Sequence, residues 1–162
     1  MDAITLLRDD HDNVRKLFKR FEDAGNQALQ EKREIVDKIV EELTIHAFIE
    51  EKLFYPRVAQ LSADGSGEEP GELVKEAREE HVQVKRLLAE LEGMSPEDDL
   101  FDAKVTVVID DVRHHAEEEE QEMFPKVRDS VGRKELQGLG QKMLQAKGQA
   151  PKLPSEEQVG AA

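Results

Sequence analysis

The sequence predicts an all-α protein: an antiparallel up-and-down four-helix bundle, followed by a short C-terminal fifth helix and a disordered tail. Three observations carry this prediction. Apolar positions recur at spacings of three and four in four separate stretches, the period of a helix with one buried face. Aromatic residues make up only 4% of the chain and Trp is absent, while Glu, Lys, Leu, Ala and Val dominate, which favours helices over a sandwich or barrel. The chain also repeats itself at an offset of 69 to 70 residues, which fits two similar helical hairpins.

The first stripe is Ile4, Leu7, His11, Val14, Phe18 and Phe21, with His11 in a core position. After a break around Ala24-Gly25-Asn26-Gln27, the second stripe is Val36, Ile39, Leu43, His46, Glu50 and Leu53. The Gly/Ser/Asp content of residues 62–67 marks the main internal connection. A third helix starts near Pro70 and carries Val74, Ala77, His81, Val84, Leu88 and Leu91. Ser95-Pro96-Glu97-Asp98 offers a capping hydroxyl, a proline at the first helical position and first-turn acids, so a fourth helix is expected to start there. Its stripe is Phe101, Val105, Val108, Val112, His115 and Glu119. Leu136, Leu139 and Met143 define a fifth helix between Arg133 and Ala146. The expected organisation is therefore a bundle over 1–130, an accessory helix over 131–147, and a polar, Pro-containing tail over 148–162 without fixed structure.

Composition excludes several functions. With 23 basic and 37 acidic residues the net charge is −14, which argues against nucleic acid or an anionic membrane as partner. No apolar run reaches the ~20 residues of a membrane span and the N-terminus lacks a signal-peptide pattern, so a cytoplasmic protein is expected. Without cysteine there is no thiolate chemistry, and any metal must be held by His and carboxylate.

The unusual feature is polar residues in apolar stripes. Residues four apart face the same side of a helix, so His46 with Glu50 and His115 with Glu119 point into the bundle, as do His11 and His81. Their distances from the turns bring all six near mid-bundle. A buried, unpaired carboxylate costs several kcal/mol, so a cation is expected to offset the two glutamates. Four His and two Glu exceed the needs of one tetrahedral zinc and suit a pair of first-row ions such as iron, with a glutamate bridging in each half. The plain alternative is a set of satisfied core histidines, which the duplication disfavours.

The pattern His11…His46-x-x-x-Glu50…His81…His115-x-x-x-Glu119, with Leu53-Phe54-Tyr55-Pro56 and Met123-Phe124-Pro125 after the acidic positions, resembles the hemerythrin-like HHE cation-binding family over about residues 1–130. Bacterioferritin-like bundles fit less well, because their Glu-x-x-His has the opposite order and a shorter spacing. The resemblance implies two non-haem iron ions, oxo- or hydroxo-bridged, held by His11, His46, Glu50, His81, His115 and Glu119. It also implies a small ligand or substrate: O2, nitric oxide or hydrogen peroxide. Where the oxygen carriers have a further His, this chain has Lys85, which shifts the expectation from O2 carriage towards turnover of a small oxidant, including catalase-like chemistry. The Cys-containing segment of the family's iron–sulfur repair members has no counterpart in this sequence. A sensing or metal-holding module without turnover is the alternative. A protein partner is not indicated, and a monomer or weak homodimer is expected.

Four further residues stand at the margin. Tyr55 lies away from His46 on an ideal helix, but Pro56 can distort the turn; it is either an aromatic packed at the bundle end or an accessory metal donor. His114 is about 100° off the stripe, in line with Asp111 and Glu118, and is a surface residue or an accessory ligand. Asp10 and Glu80, each preceding a stripe histidine, could accept a hydrogen bond from a metal-bound imidazole or lie exposed. The acidic run 117–120 is expected to be a solvated face apart from Glu119.

Overall fold

A computed structural model describes residues 1–25, 27–61 and 69–160, with side chains to residue 157. The connection expected at 62–67 lies outside the described residues. Helix α1 spans Ala3–Asp23 and is capped by Asp2, whose carboxylate accepts from the Thr5 backbone N–H at 2.8 Å. Helix α2 (Leu29–Ile49) runs on through a π-helical turn, π1 (Glu50–Phe54), into α3 (Tyr55–Val58) as one rod. Helix α4 spans Pro70–Glu92, and a second composite rod consists of α5 (Phe101–Glu118), π2 (Glu119–Met123) and α6 (Phe124–Ser130). The hairpin partners α1 with α2 and α4 with α5 pack together, and α2 packs on α4 to close the bundle. Helix α7 (Arg133–Lys147) lies outside, against α1, α2 and π1.

Both π turns begin at a stripe glutamate and lead into a proline two residues beyond their end. Pro56 cannot donate to the carbonyl of residue 52, and in a regular α-helix its ring would clash with that carbonyl. The wider turn relieves the clash: Tyr55 N–H bonds to Glu50 C=O, and Phe124 N–H bonds to Glu119 C=O in the repeat. An i→i−5 bond also changes which residues face inward. Leu53, expected in the stripe, is only half-buried, while Phe54 and Tyr55 are fully buried.

The His/Glu layer divides the apolar interior in two. On one side Ile4, Leu7, Ile49, Phe54, Val74, Phe124 and Val127 pack together, capped by Leu136 and Met143 of α7. On the other, Val14, Phe18, Val36, Ile39, Leu43, Leu88, Phe101, Val108 and Val112 fill the bundle. Each such fully buried side chain contributes about 1.5–3 kcal/mol, so the two apolar halves hold the polar layer in place. Val84, expected in the core, is only partly buried.

Two expectations need correction. The fourth helix starts at Phe101, not at Ser95-Pro96. Asp98 accepts from the Ser95 N–H at 2.8 Å and Ser95 Oγ from the Glu97 N–H at 3.2 Å, so these residues close a turn on themselves before the helix begins. The tail expected to be disordered contains a helix, α8 (Pro154–Gly160). Ser155 holds it to Glu92 of α4, its Oγ donating at 2.6 Å, so the polar residues there find partners on the bundle instead of solvent alone.

Candidate metal centre

All six stripe residues converge at mid-bundle, and each is buried: His11, His46, Glu50, His81, His115 and Glu119 are 0–7% exposed. They form two pockets. His11, His46, Glu50 and Glu119 can place one donor atom each within 4.8 Å of one another, and Glu50, His81 and His115 do the same next door. Glu50 belongs to both. The imidazole pairs are matched, with ring centroids 4.9 Å apart for His11–His46 and 4.8 Å for His81–His115.

In the first pocket, His11 Nε2 lies 3.2 Å from Glu119 Oε1 and His46 Nε2 lies 3.1 Å from Glu50 Oε1. These approaches lack hydrogen-bond alignment: both nitrogens, together with Glu50 Oε2 and Glu119 Oε1, are buried without a hydrogen-bond partner. Four orphaned polar atoms would cost about 1–3 kcal/mol each if nothing filled the space between them. Donors that crowd together without bonding one another converge on a common point, and imidazole and carboxylate are ligands for first-row metal ions. The residues therefore fit a bound cation.

The second pocket is closed by Tyr55. Its O–H donates to Glu119 Oε2 at 2.6 Å and lies 3.2 Å from Glu50 Oε1, 3.1 Å from His81 Nε2 and 3.2 Å from His115 Nε2. The π turn produces this contact. Five residues along a regular helix is about 140° away from Glu50, whereas the i→i−5 bond stacks Tyr55 one turn above it. The packing-only reading of Tyr55 is thus corrected: the phenol is part of the site. His114 goes the other way. Its side chain is 66% exposed, 2.9 Å from Glu118, and with Glu80 and Glu118 it forms a cluster at the surface, outside both pockets.

Each of the four inward imidazoles is oriented by a carboxylate on the neighbouring rod. Asp10 of α1 accepts from His46 Nδ1 at 2.9 Å, and Glu51 of π1 accepts from His81 Nδ1 at 2.7 Å. Glu80 of α4 accepts from His115 Nδ1 and Glu120 of π2 from His11 Nδ1, each at 2.7 Å. The four bonds form a closed ring in which each rod steers the histidine of the next. With Nδ1 donating outward, Nε2 faces the pocket as the ligating atom. Asp10 and Glu80 were visible in the sequence as candidates; Glu51 and Glu120 were not, and Glu120 leaves the solvated face where it was expected. The available signal was the repeat itself, since Glu50-Glu51 and Glu119-Glu120 are both doubled.

The electrostatics are those of a self-compensated cluster. Burial opposes a charge on His46, but Glu50 and Asp10 overcome it and raise its pKa to about 10. His11, His81 and His115 are likewise raised against burial by their carboxylate partners. Burial would lift Glu50, yet His46, His115 and His81 hold it well below the usual carboxylate range. Tyr55 is pushed well above its ordinary value by burial and the two glutamates, so the phenol keeps its proton in the metal-free protein. A cavity of about 40 Å³, walled by Val14, Phe18, Leu43, Leu88 and Val112, adjoins all four imidazoles.

No described helix is long and apolar enough to cross a membrane. A crystal structure of a hemerythrin HHE cation binding domain-containing protein from Mycobacterium kansasii, a homologue of Rv2633c, is similar in fold and sequence. Its TM-score is 0.74 and its identity 26%, over 92% of this chain and 89% of that one. A protein of Nostoc sp. strain PCC 7120 named DNA nickase is 26% identical over 99% of this chain, which spans 43% of that protein's length. The sequence model of the hemerythrin HHE cation binding domain matches residues 2–127, and this chain belongs to that family.

Proposed function

We propose that this protein holds a pair of iron ions at mid-bundle and uses them to bind or turn over a small oxidant. The observation that carries the reading is the set of four buried, unpartnered donor atoms on His11, His46, Glu50 and Glu119. These four residues would hold one ion; Glu50, His81 and His115, with Tyr55 as a further donor, would hold the other. Glu50 touches both pockets and is the natural bridge, and Glu119 Oε2, 3.4 Å from His115 Nε2, reaches the second pocket as well. Iron held this way supplies the change of oxidation state that reversible ligand binding or peroxide disproportionation (2 H2O2 → 2 H2O + O2) requires.

The chain's own residues supply the rest. The carboxylate ring fixes each imidazole with Nε2 inward. Tyr55 O–H rests on Glu119 at 2.6 Å in the metal-free protein, and would pass its proton to that carboxylate on joining the metal as phenolate. The cavity of about 40 Å³ beside the imidazoles, with its largely apolar wall, has room for a few water-sized molecules and so suits O2, nitric oxide or peroxide. The Nostoc relative named DNA nickase is a longer protein, of which this chain spans 43%, and a net charge of −14 disfavours contact with a DNA backbone.

The test is metal analysis of the native protein, followed by stopped-flow spectra with O2, nitric oxide and peroxide. Two irons per chain and a spectrum that responds to at least one of the three are expected. Full occupancy by zinc with an unresponsive spectrum would leave a metal-holding module instead, and iron-dependent relaxation of supercoiled plasmid would overturn the exclusion of DNA.

A further inference from the structure

The family match ends at residue 127, but two arms of the chain beyond it reach back to the site. The first comes from α7. Lys147, in its last turn, is bonded through Nζ to Asp10 Oδ1, while Asp10 Oδ2 accepts from His46 Nδ1 at 2.9 Å. Asp10 is 5% exposed, and Lys147 joins His46 in offsetting a carboxylate withdrawn from water. The second arm comes from α8. Glu157 binds Lys85 Nζ at 2.9 Å; the same ammonium binds Glu51 Oε1 at 2.7 Å, and Glu51 Oε2 accepts from His81 Nδ1 at 2.7 Å. The two arms end on different pockets, since His46 lines the first and His81 the second.

Both arms are seated independently of these bonds. Leu136 and Met143 bury α7 against the bundle, and at Gly140 its backbone passes so close to the N-terminus that a Cβ there would fall 2.3 Å from Met1 O. Helix α8 is held by the buried Pro154 and by Ser155 on Glu92. An ion pair at the far oxygen of a carboxylate restrains its rotation and lowers the charge it presents to the imidazole, so it sets both the aim and the donor strength of that histidine.

We propose that the C-terminal segment is the outer layer of the metal centre, with Lys147 acting as a positioning residue for His46 and Glu157, through Lys85, for His81. This inference rests on the metal-binding reading above. The full chain and its K147M, K147R and E157Q variants are loaded with cobalt(II), and three quantities are measured: the visible cobalt absorption bands, the rate of cobalt release to EDTA, and the melting temperature of the metal-free protein. K147M is expected to shift the bands and to speed release of one cobalt about tenfold, the usual scale for loss of a group that orients a ligand. K147R restores both, E157Q speeds release of the other cobalt by less, and the two effects add. A purely structural contact would lower the metal-free melting temperature and leave the bands unchanged. Bands and release rates unchanged in K147M, or not restored in K147R, overturn the inference while the metal reading stands. If K147M does not fold, wild-type behaviour in E157Q and altered bands in K147R overturn it. A wild-type protein that retains no cobalt overturns the metal reading itself.

Discussion

The two halves of the site are built on one plan and differ most sharply at one position. Each has a histidine on a plain helix, a His-x-x-x-Glu on a composite rod, a π turn starting at the glutamate and a carboxylate behind every imidazole. At the equivalent position after the π turn, however, the first hairpin has Tyr55 and the second has Phe124. Tyr55 puts a hydroxyl among His81, His115, Glu50 and Glu119, whereas Phe124 stacks on His11 at 6.0 Å with the rings nearly parallel. The orphaned atoms accordingly all belong to the first pocket. Duplication supplies a symmetric scaffold, and a single hydroxyl makes the two pockets chemically unequal.

The strongest way to break the comparison is to remove what the pockets share. Glu50→Ala is expected to lower the metal content from two per chain to less than one, whereas His81→Ala empties only the second pocket and leaves about one; elemental analysis of the purified variants distinguishes them. If both variants lost one metal, Glu50 would not be the bridge. Next in size is Tyr55→Phe, which removes the asymmetry. The metal-free variant leaves Glu119 Oε2, Glu50 Oε1 and two imidazoles without the phenol, at a cost of about 1–3 kcal/mol, measured by urea unfolding. Its iron-loaded form should keep two metals with an altered visible spectrum. An unaltered spectrum would mean that the phenol plays no part in the bound state.

What could be read in the sequence divides along the same line. The six inward residues were legible because helical period alone places them, and the repeat confirmed their register. Glu51 and Glu120 were not legible. Each is next to a stripe residue and about 100° off its face on an ideal helix, and its role depends on a histidine carried by a different rod. Tyr55 was legible only as one of two alternatives, for a local reason: periodicity assumes bonds four residues apart, and the π turn makes one of them five. The start of the fourth helix was misplaced because Ser95 and Asp98 bond to each other's segment, a competition between turn and cap that composition does not resolve.

A smaller effect separates metal-free from metal-loaded protein as pH changes. In the metal-free state His46 is raised to about 10 from an ordinary 6.5, so its stabilisation is complete below about 6.5 and is lost as pH rises towards 10. Glu120, held at about 2 by His11 and Arg15 against an ordinary 4.5, contributes above 4.5 and loses that contribution as pH falls towards 2. The metal-free melting temperature should therefore peak between about 4.5 and 6.5 and fall on either side. Once Nε2 is ligated it no longer takes a proton, so the alkaline decline should flatten in cobalt-loaded protein. Parallel alkaline slopes in the two forms would mean that the imidazoles are not the ligands.

The least disruptive test addresses why Tyr55 turns inward at all. Pro56 and Pro125 stand at equivalent places, yet only the first follows a residue that bonds into the site. Replacing Pro56 with Ala restores an N–H and removes the ring clash, so the turn can tighten towards α-helical bonding and draw the phenol away from Glu119. Pro125→Ala frees the repeat in the same way but moves only Phe124. Both changes should alter stability by no more than about 1 kcal/mol, because each lost contact is offset by a backbone hydrogen bond. The chain has one tyrosine and no tryptophan, so tyrosine fluorescence and near-ultraviolet absorption report Tyr55 without interference from another Tyr or Trp. A changed signal in Pro56→Ala and an unchanged one in Pro125→Ala are expected. If Pro56→Ala left the signal unchanged, the buried anchoring of Glu50, and not the proline, would be what holds the π turn and with it the difference between the two pockets.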